Sequence, residues 1–471
     1  VSAFCWTRER VAAALDAGMP AELPDDFAGV STDTRALTPG SLFVALAGER
    51  FDAHDYLDAA AAAGAAAAVV SRVPAGAPAD LPLVTVGDTL AALGRLARHR
   101  RRALQARVVG IAGSNGKTTC KDLLRAAVGG QRATHATAGN LNNQIGVPLT
   151  LLAAPDEAEV VIVEMGTNEP GEVEILTRIV EPDIGVITSI GEEHLEKLGS
   201  LDGVLEEELA LLPGIRGDGR AFVADEPPVL AERARALLGD PRVLAAGFTP
   251  DAELRSEGGA AGVRILEDGS TRWSWEGADV HLPLPGRHNV RNALLALGVT
   301  RDLGVAPVDA AEGISRMPCP ALRGEWRRIG SLRVLADCYN ANPPSTLAAL
   351  DLLASLPGEA PRVAVLGTMR ELGEHSAGEH RRVAAEVAGH LGDGIDRIVA
   401  TGEFADAFDS DERVLRCLDP VDAYRRTIPL LEGGEIVLLK ASRGETLERW
   451  LDLLEADFGA SPPVRVRAEG G

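Results

Sequence analysis

Aromatic residues make up only 4% of the 471-residue chain. Alanine, valine and leucine must therefore fill whatever cores it builds, and 46% apolar residues suffice for several. Positive charge is also scarce: 47 Lys and Arg stand against 69 Asp and Glu, a formal net charge of −22. A polyanion requires a basic surface, which excludes nucleic acid as a main partner, and such a chain also avoids anionic membranes. Five cysteines lie scattered at 5, 120, 319, 338 and 417 without a CxxC pair. Neither a zinc site nor a disulfide framework is indicated, and buried reduced thiols in a cytoplasmic protein are expected. The longest apolar run, 59–70, is mostly alanine and too short to span a bilayer. The opening VSAFCWTRER has no signal-peptide core. Lysine is the rarest cation, with only Lys117, Lys121, Lys197 and Lys440 among the 47. Where arginine serves almost everywhere, a retained lysine marks a place for a compact point charge that reaches between phosphates.

The length suggests about three domains at roughly 150 residues each. Residues 1–98 mix short strands with helices, and the basic RHRRR at 98–102 reads as a linker. Over 99–317, apolar runs of strand length (108–112, 159–166, 183–191) alternate with helical stretches, the pattern of a parallel sheet covered on both faces. Residues 253–286 alternate and are turn-rich, which suggests an antiparallel β appendage. From 318 to 471 a second doubly wound, Rossmann-like set follows, with strands at 333–337, 362–367, 396–402 and 435–442, closing near Phe458 before the loose tail SPPVRVRAEGG. The fold class is α/β: a small N-terminal domain, a central parallel-sheet domain with a phosphate loop, and a C-terminal doubly wound domain.

The stretch GIAGSNGKTT (110–119) carries the first chemistry. A strand runs into Gly113-Ser114-Asn115-Gly116, and Lys117-Thr118-Thr119 opens a helix. Backbone N–H groups at such a helix start bind phosphate oxygens. Lys117 would neutralise the β and γ phosphates, and the Thr118 hydroxyl would ligate Mg²⁺. The usual spacing puts a glycine at 111, where this chain has Ile111 after Gly110. As a loop lysine, Lys117 should contribute little to packing. Glu164 ends the next apolar run, where open α/β sheets bind ligands, and a carboxylate there suits a metal beside Thr118. His194 follows a third strand end. The acidic Glu206-Glu207-Glu208 run beyond it reads equally well as a site or as a solvated helix face. His288, Asn289 and Asn292 sit at a turn and helix start suited to a base or ribose, and Asp337 ends a strand before a polar loop.

With these residues in place, the chain resembles the Mur ligases, ATP-dependent enzymes that extend UDP-N-acetylmuramoyl peptides. The likeness covers essentially the whole chain through STDTR (31–35), GIAGSNGKT (110–118), TAGNLNNQIGVP (137–148), VEMGTNEPGE (163–172), HLEKLGSLDGV (194–204), LPGRHNVRNAL (284–294), DCYNANPPS (337–345), LGTMRELGEHS (366–376) and KASRG (440–444). TAGNLNNQIGVP and DCYNANP point to the branch that adds D-alanyl-D-alanine to UDP-N-acetylmuramoyl-tripeptide. The resemblance implies ATP, two Mg²⁺ ions and an acyl-phosphate intermediate. It implies substrate contacts from Ser31, Asp33 and Arg35 at the uridine end, and from Asn140, Asn142 and Asn143 near the sugar and peptide. It gives Glu164, His194 and Glu208 to metal, with His194, Glu208, Lys117 and Arg323 in catalysis, and Arg323 aimed at ATP phosphates. Adenine would be bordered by His288, Asn289 and Asn292, and the ribose by Asp337. Tyr339, Asn340, Asn342, Lys440, Ser442 and Arg443 would face the amino substrate. The chain is expected to work as a cytoplasmic monomer.

Three departures stand out. Gly367-Thr368-Met369 replaces the family's usual GDM, and Lys440-Ala441-Ser442 its KGS. At 208 the family carries a carbamylated lysine, whereas this chain has Glu208. These leave room for a catalytically weak homologue that binds nucleotide or UDP-muramoyl peptide as a regulator. A folate-polyglutamylating amide ligase is a further alternative, which would leave NLNNQIGVP and DCYNANP unexplained.

Overall fold

The computed structural model of the chain describes residues 4–48, 51–408 and 411–459. The tail from 461 lies outside them. Three sheets dominate. The first is a four-stranded parallel sheet, Val30–Ser31, Leu42–Val44, Ala67–Val70 and Leu83–Thr85 in that order, with a two-residue antiparallel pair, Trp6–Thr7 and Asp26–Phe27, beside it.

The second sheet is six-stranded and all parallel, in the order Val243–Ala246, Ala221–Ala224, Ile184–Ile187, Arg107–Ala112, Val160–Glu164, Thr134–Ala136. Its central strands are buried on both faces because side chains alternate along a strand. Val108, Val161 and Val163 pack toward helices Glu172–Val180 and Leu201–Leu209. Val109, Ile111 and Ile162 pack toward helices Lys117–Gly129 and Arg287–Asp302. Arg264–Ile265, Thr271–Trp275 and Ala278–Leu282 form the expected antiparallel appendage.

The third sheet runs Glu325–Ile329, Leu332–Asp337, Ile436–Lys440, Arg362–Leu366, Arg397–Thr401, Val414–Cys417. Its first strand is antiparallel to the second and the rest are parallel. The last helix ends at Phe458.

Two expectations need correction. The RHRRR segment is no linker: it forms the last turns of one helix, Thr89–Ala103, which runs through the expected 98/99 boundary. Its Arg101 is 1% exposed and donates to the Val180 and Glu181 carbonyls at 2.8 Å and to Asp183 at 2.8 Å. A basic run thus reads as soluble surface only until a neighbouring segment supplies acceptors for it. The thiols are all free, but Cys5 and Cys319 are exposed rather than buried. Among the described residues no helix is long and apolar enough to cross a membrane.

Candidate active site

Pairing register brings the chemistry to one edge. Ile111 pairs with Glu164, and Ala112 with Ile187, so the three strands of the central sheet that carry motifs end side by side. Gly110 lies within its strand, so the displaced glycine is not part of the loop. Gly113 has φ 121°, and a methyl there would meet Thr188 Oγ1 at 2.4 Å. Helix Lys117–Gly129 starts at Gly116, also left-handed, with no side-chain cap. Its first N–H groups are therefore available to an anion.

A cleft of about 770 Å³ opens over this edge. From the central sheet it takes Ser114 through Thr119, with Asn140, Asn142, Asn143, Glu164 and His194. The adenine-side candidates His288, Asn289 and Asn292 line it as well. From the opposite sheet come Arg323, Asp337, Tyr339, Asn340, Lys440 and Arg443. Gly113, Glu208, Asn342 and Ser442 sit around it without lining it, while Ser31, at the end of an N-terminal strand, and Asp33 and Arg35, in the turn after it, lie apart. There Arg35 grips Asp33 with two bonds of 2.9 and 2.7 Å and holds its carboxyl down at about 2.

Lys117 is not a free loop side chain. Its ammonium is largely buried, donates to the Gly113 and Ser114 carbonyls, and lies 3.6 Å from Glu193. Burial alone would lower its pKa, but the charges of Glu193, Glu208 and Glu164 overcome this and raise it. Thr118 donates to Glu164 Oε1 at 3.0 Å, and Asn142 Nδ2 donates to the same oxygen at 3.0 Å.

The acidic run divides three ways. Glu206 is exposed and pairs with Arg233. Glu207 is buried and accepts from Thr167, Gly171 and Val173, capping helix Glu172–Val180. Glu208 is 1% exposed and accepts from the Gly113 N–H at 2.6 Å. The solvated-face reading therefore holds for Glu206 alone. Burial raises the Glu208 carboxyl to about 7 against the pull of Lys117.

Three carboxylate oxygens beside the loop, Glu164 Oε2, Glu193 Oε1 and Glu208 Oε1, are buried without a hydrogen-bond partner. No three His, Cys, Asp or Glu groups converge as a complete metal cage among the described residues. Anionic oxygens without hydrogen bonds, two of them met only by lysine ammoniums at 3.5 and 3.6 Å, and without a full cage suit Mg²⁺, which keeps several waters and takes one or two carboxylates alongside substrate phosphates.

The facing sheet presents its own pair. Asp337 and Lys440 are register partners and form a 2.9 Å ion pair, with Lys440 also donating to the Asn340 carbonyl at 2.9 Å. Tyr339 lies under two guanidiniums, Arg323 at 3.9 Å and Arg443 at 5.2 Å. Ser442 donates to the Ala341 carbonyl at 3.1 Å and accepts from the Arg370 N–H at 3.0 Å, fixing the strand exit. Across the cleft, Asn342 Nδ2 donates to Asn115 Oδ1 at 2.8 Å. Burial lowers the His288 imidazole to about 4.

Profiles of one family match this chain three times: "Mur ligase family, catalytic domain" over 26–101, "Mur ligase middle domain" over 111–300, and "Mur ligase, glutamate ligase domain" over 322–443. A Bacillus subtilis relative called UDP-N-acetylmuramoyl-tripeptide--D-alanyl-D-alanine ligase is 37% identical over 441 residues, 91% of this chain and 93% of its own. The chain belongs to the Mur ligase family. Among solved structures of Mur ligases, MurF from Acinetobacter baumannii superposes with a TM-score of 0.86 at 30% identity, covering 97% of this chain and 100% of that one. The MurF ligase of Thermotoga maritima in complex with ADP gives 0.78 at 25% identity, over 91% of this chain and 97% of that one.

Sequence reasoning missed Glu193, Glu371 and Lys121. Lys121 lies one helical turn after Lys117 and 3.5 Å from Glu164 Oε2, so its rarity and spacing were a usable signal. Glu193 and Glu371 stand in charged runs, and nothing local distinguishes them from surface residues.

Proposed function

We propose that the chain is an ATP-dependent ligase that joins D-alanyl-D-alanine to UDP-N-acetylmuramoyl-tripeptide in peptidoglycan precursor synthesis. The observation that carries the reading is a near full-length likeness to ligases of that name, in a chain whose phosphate loop faces a second sheet bearing Asp337, Tyr339 and Lys440. The ADP held by the Thermotoga relative supports a nucleotide in this cleft.

In this reading the start of helix Lys117–Gly129 receives the phosphates, while the Gly113, Ser114 and Asn115 N–H groups hold the loop in shape by donating to Glu208 and Ser189. Lys117 turns from its own carbonyls to the transferring group. His288, Asn289 and Asn292 border the adenine, Asp337 the ribose, and Arg323 the phosphates. Asn140, Asn142 and Asn143 hold the sugar and peptide, while Ser31, Asp33 and Arg35 hold the uridine end. Tyr339, Asn340, Asn342, Lys440, Ser442 and Arg443 surround the incoming dipeptide.

Thr118 and Glu164 would hold one Mg²⁺, and His194 and Glu208 a second. The ions would supply neutralisation of phosphate charge. The γ-phosphoryl group passes to the tripeptide carboxylate, giving an acyl phosphate and ADP. The dipeptide amine then forms the C–N bond as phosphate leaves and the nitrogen loses a proton. The residues contribute mainly alignment and charge stabilisation, the two effects such transfers need.

An ADP-release assay tests this. Release should require UDP-N-acetylmuramoyl-tripeptide and D-alanyl-D-alanine together. Absence of turnover with both supports a binding-only homologue, and release with a folate and glutamate instead supports the polyglutamylating alternative.

A further inference from the structure

His194 and Glu371 come from different sheets and meet at 2.8 Å, His194 Nδ1 to Glu371 Oε2. Both line the cleft. Both also adopt left-handed backbone, φ 51° and 67°, which is uncommon for residues other than glycine. Such conformations persist where the surroundings over-determine them, and they cluster at functional sites.

The surroundings are specific. His194 immediately precedes the short helix Leu195–Leu198, and Glu371 lies in the loop before the turn Gly373–His375. The turn rests on that helix so closely that a methyl on Gly373 would meet Glu196 Cα at 2.9 Å. Leu195 and Leu198 share one apolar cluster with Met369 and Leu372. Arg382 reaches Glu192 at 3.7 Å beside the same contact.

As a stability element the pair is weak, since the Glu371 side chain is 59% exposed and solvent screens it. Its geometry has another consequence. With Nδ1 engaged by Glu371, Nε2 is the ring nitrogen left for a ligand in the cleft that His194 lines. A histidine ligand is oriented by whatever holds its other ring nitrogen.

We propose that Glu371 is a positioning residue that orients His194 toward the cleft when the C-terminal sheet is docked, so that closure itself completes the phosphate site. This rests on the reading of the cleft as a nucleotide–metal site. Undocking removes the acceptor and frees the imidazole to rotate, and the site is then competent only in the closed arrangement.

The test uses the full chain with Glu371→Ala and Glu371→Gln. Mn²⁺ is the probe, its binding followed by electron paramagnetic resonance in the presence of a non-hydrolysable ATP analogue. Glu371→Ala should weaken Mn²⁺ about 10–100-fold and lower kcat in step, with the KM for ATP little changed. Glu371→Gln keeps an acceptor oxygen and should restore most of both. A Glu371→Ala variant within about twofold of wild type in both readouts overturns the proposal at the scale expected for such partners. Equal loss in Ala and Gln overturns it too, since charge or folding rather than orientation would then be at stake. If the wild type joins no D-alanyl-D-alanine yet Glu371→Ala still weakens Mn²⁺, the substrate reading fails and the positioning role stands.

Discussion

Replacing Lys117 by alanine should damage the fold as well as the chemistry. The ammonium holds two loop carbonyls and faces Glu193 at 3.6 Å, with Glu164 and Glu208 near enough to act on its charge. At an effective dielectric of about 20, a pair at 3.6 Å interacts by roughly 4–5 kcal/mol. The lysine recovers part of this in hydration when released, and removing one partner of a buried pair typically costs about 3–5 kcal/mol. A net loss of about 3 kcal/mol is therefore expected, a fall of roughly 6–12 °C in melting temperature for a domain of this size. Turnover should drop by at least the ~10²–10³-fold seen when one donor to a developing charge is removed.

The double variant Lys117→Ala/Glu193→Gln separates the two effects. Neutralising Glu193 should restore much of the stability and none of the turnover, which a double-mutant cycle of melting temperature against ADP release would display. A single variant melting within about 2 °C of wild type would refute the electrostatic reasoning at the scale used here. Recovery of turnover in the double variant would refute the role of Lys117 toward phosphate.

Gly116→Ala should leave the fold largely intact but weaken nucleotide binding, because the new methyl would press on the Asn292 amide at 2.5–2.9 Å with φ at 86°. Calorimetry with ADP measures it, and unchanged affinity counts against a part for the contact between the loop and helix Arg287–Asp302 in holding nucleotide. His288, held near 4 by burial, should make stability fall as pH drops from about 6.5 toward 4, because the unfolded chain binds the proton more readily. The effect is on the order of 2–3 kcal/mol, and denaturation of His288→Asn should be flatter over that window; identical pH profiles would show that the imidazole is solvated.

What could be read in advance followed from local signals. Strands with continuous Val and Ile, such as 108–112 and 160–164, declared themselves; the first runs into the loop that lines the cleft and the second ends in Glu164, which lines it. The strands Thr134–Ala136, Ala221–Ala224, Val243–Ala246 and Val414–Cys417 did not. They are three or four residues long and hold few β-branched side chains, so their pairing is decided by the sheets they join. The same holds for charge. Glu206, Glu207 and Glu208 are identical letters in one helix, yet one is solvated, one caps a helix and one closes on the phosphate loop. Helical rotation past different neighbours separates them, and only the neighbours say which is which. Glu371 was illegible for a stronger reason, since its partner His194 belongs to another sheet.

The helix Thr89–Ala103 bears on how such a chain may be recombined. A chimera that exchanges the N-terminal part at 98/99 would sever a continuous helix between Arg98 and His99 and part Arg98 from Glu181, whereas moving the junction past Ala103 to spare the helix would carry Arg101 away from the Val180–Asp183 segment that receives it. The graftable module is therefore larger than the sheet it serves. It includes the whole helix and the acceptors at 180–183, and modular exchange among relatives has to carry both sides of that contact or redesign Arg101 as an apolar residue.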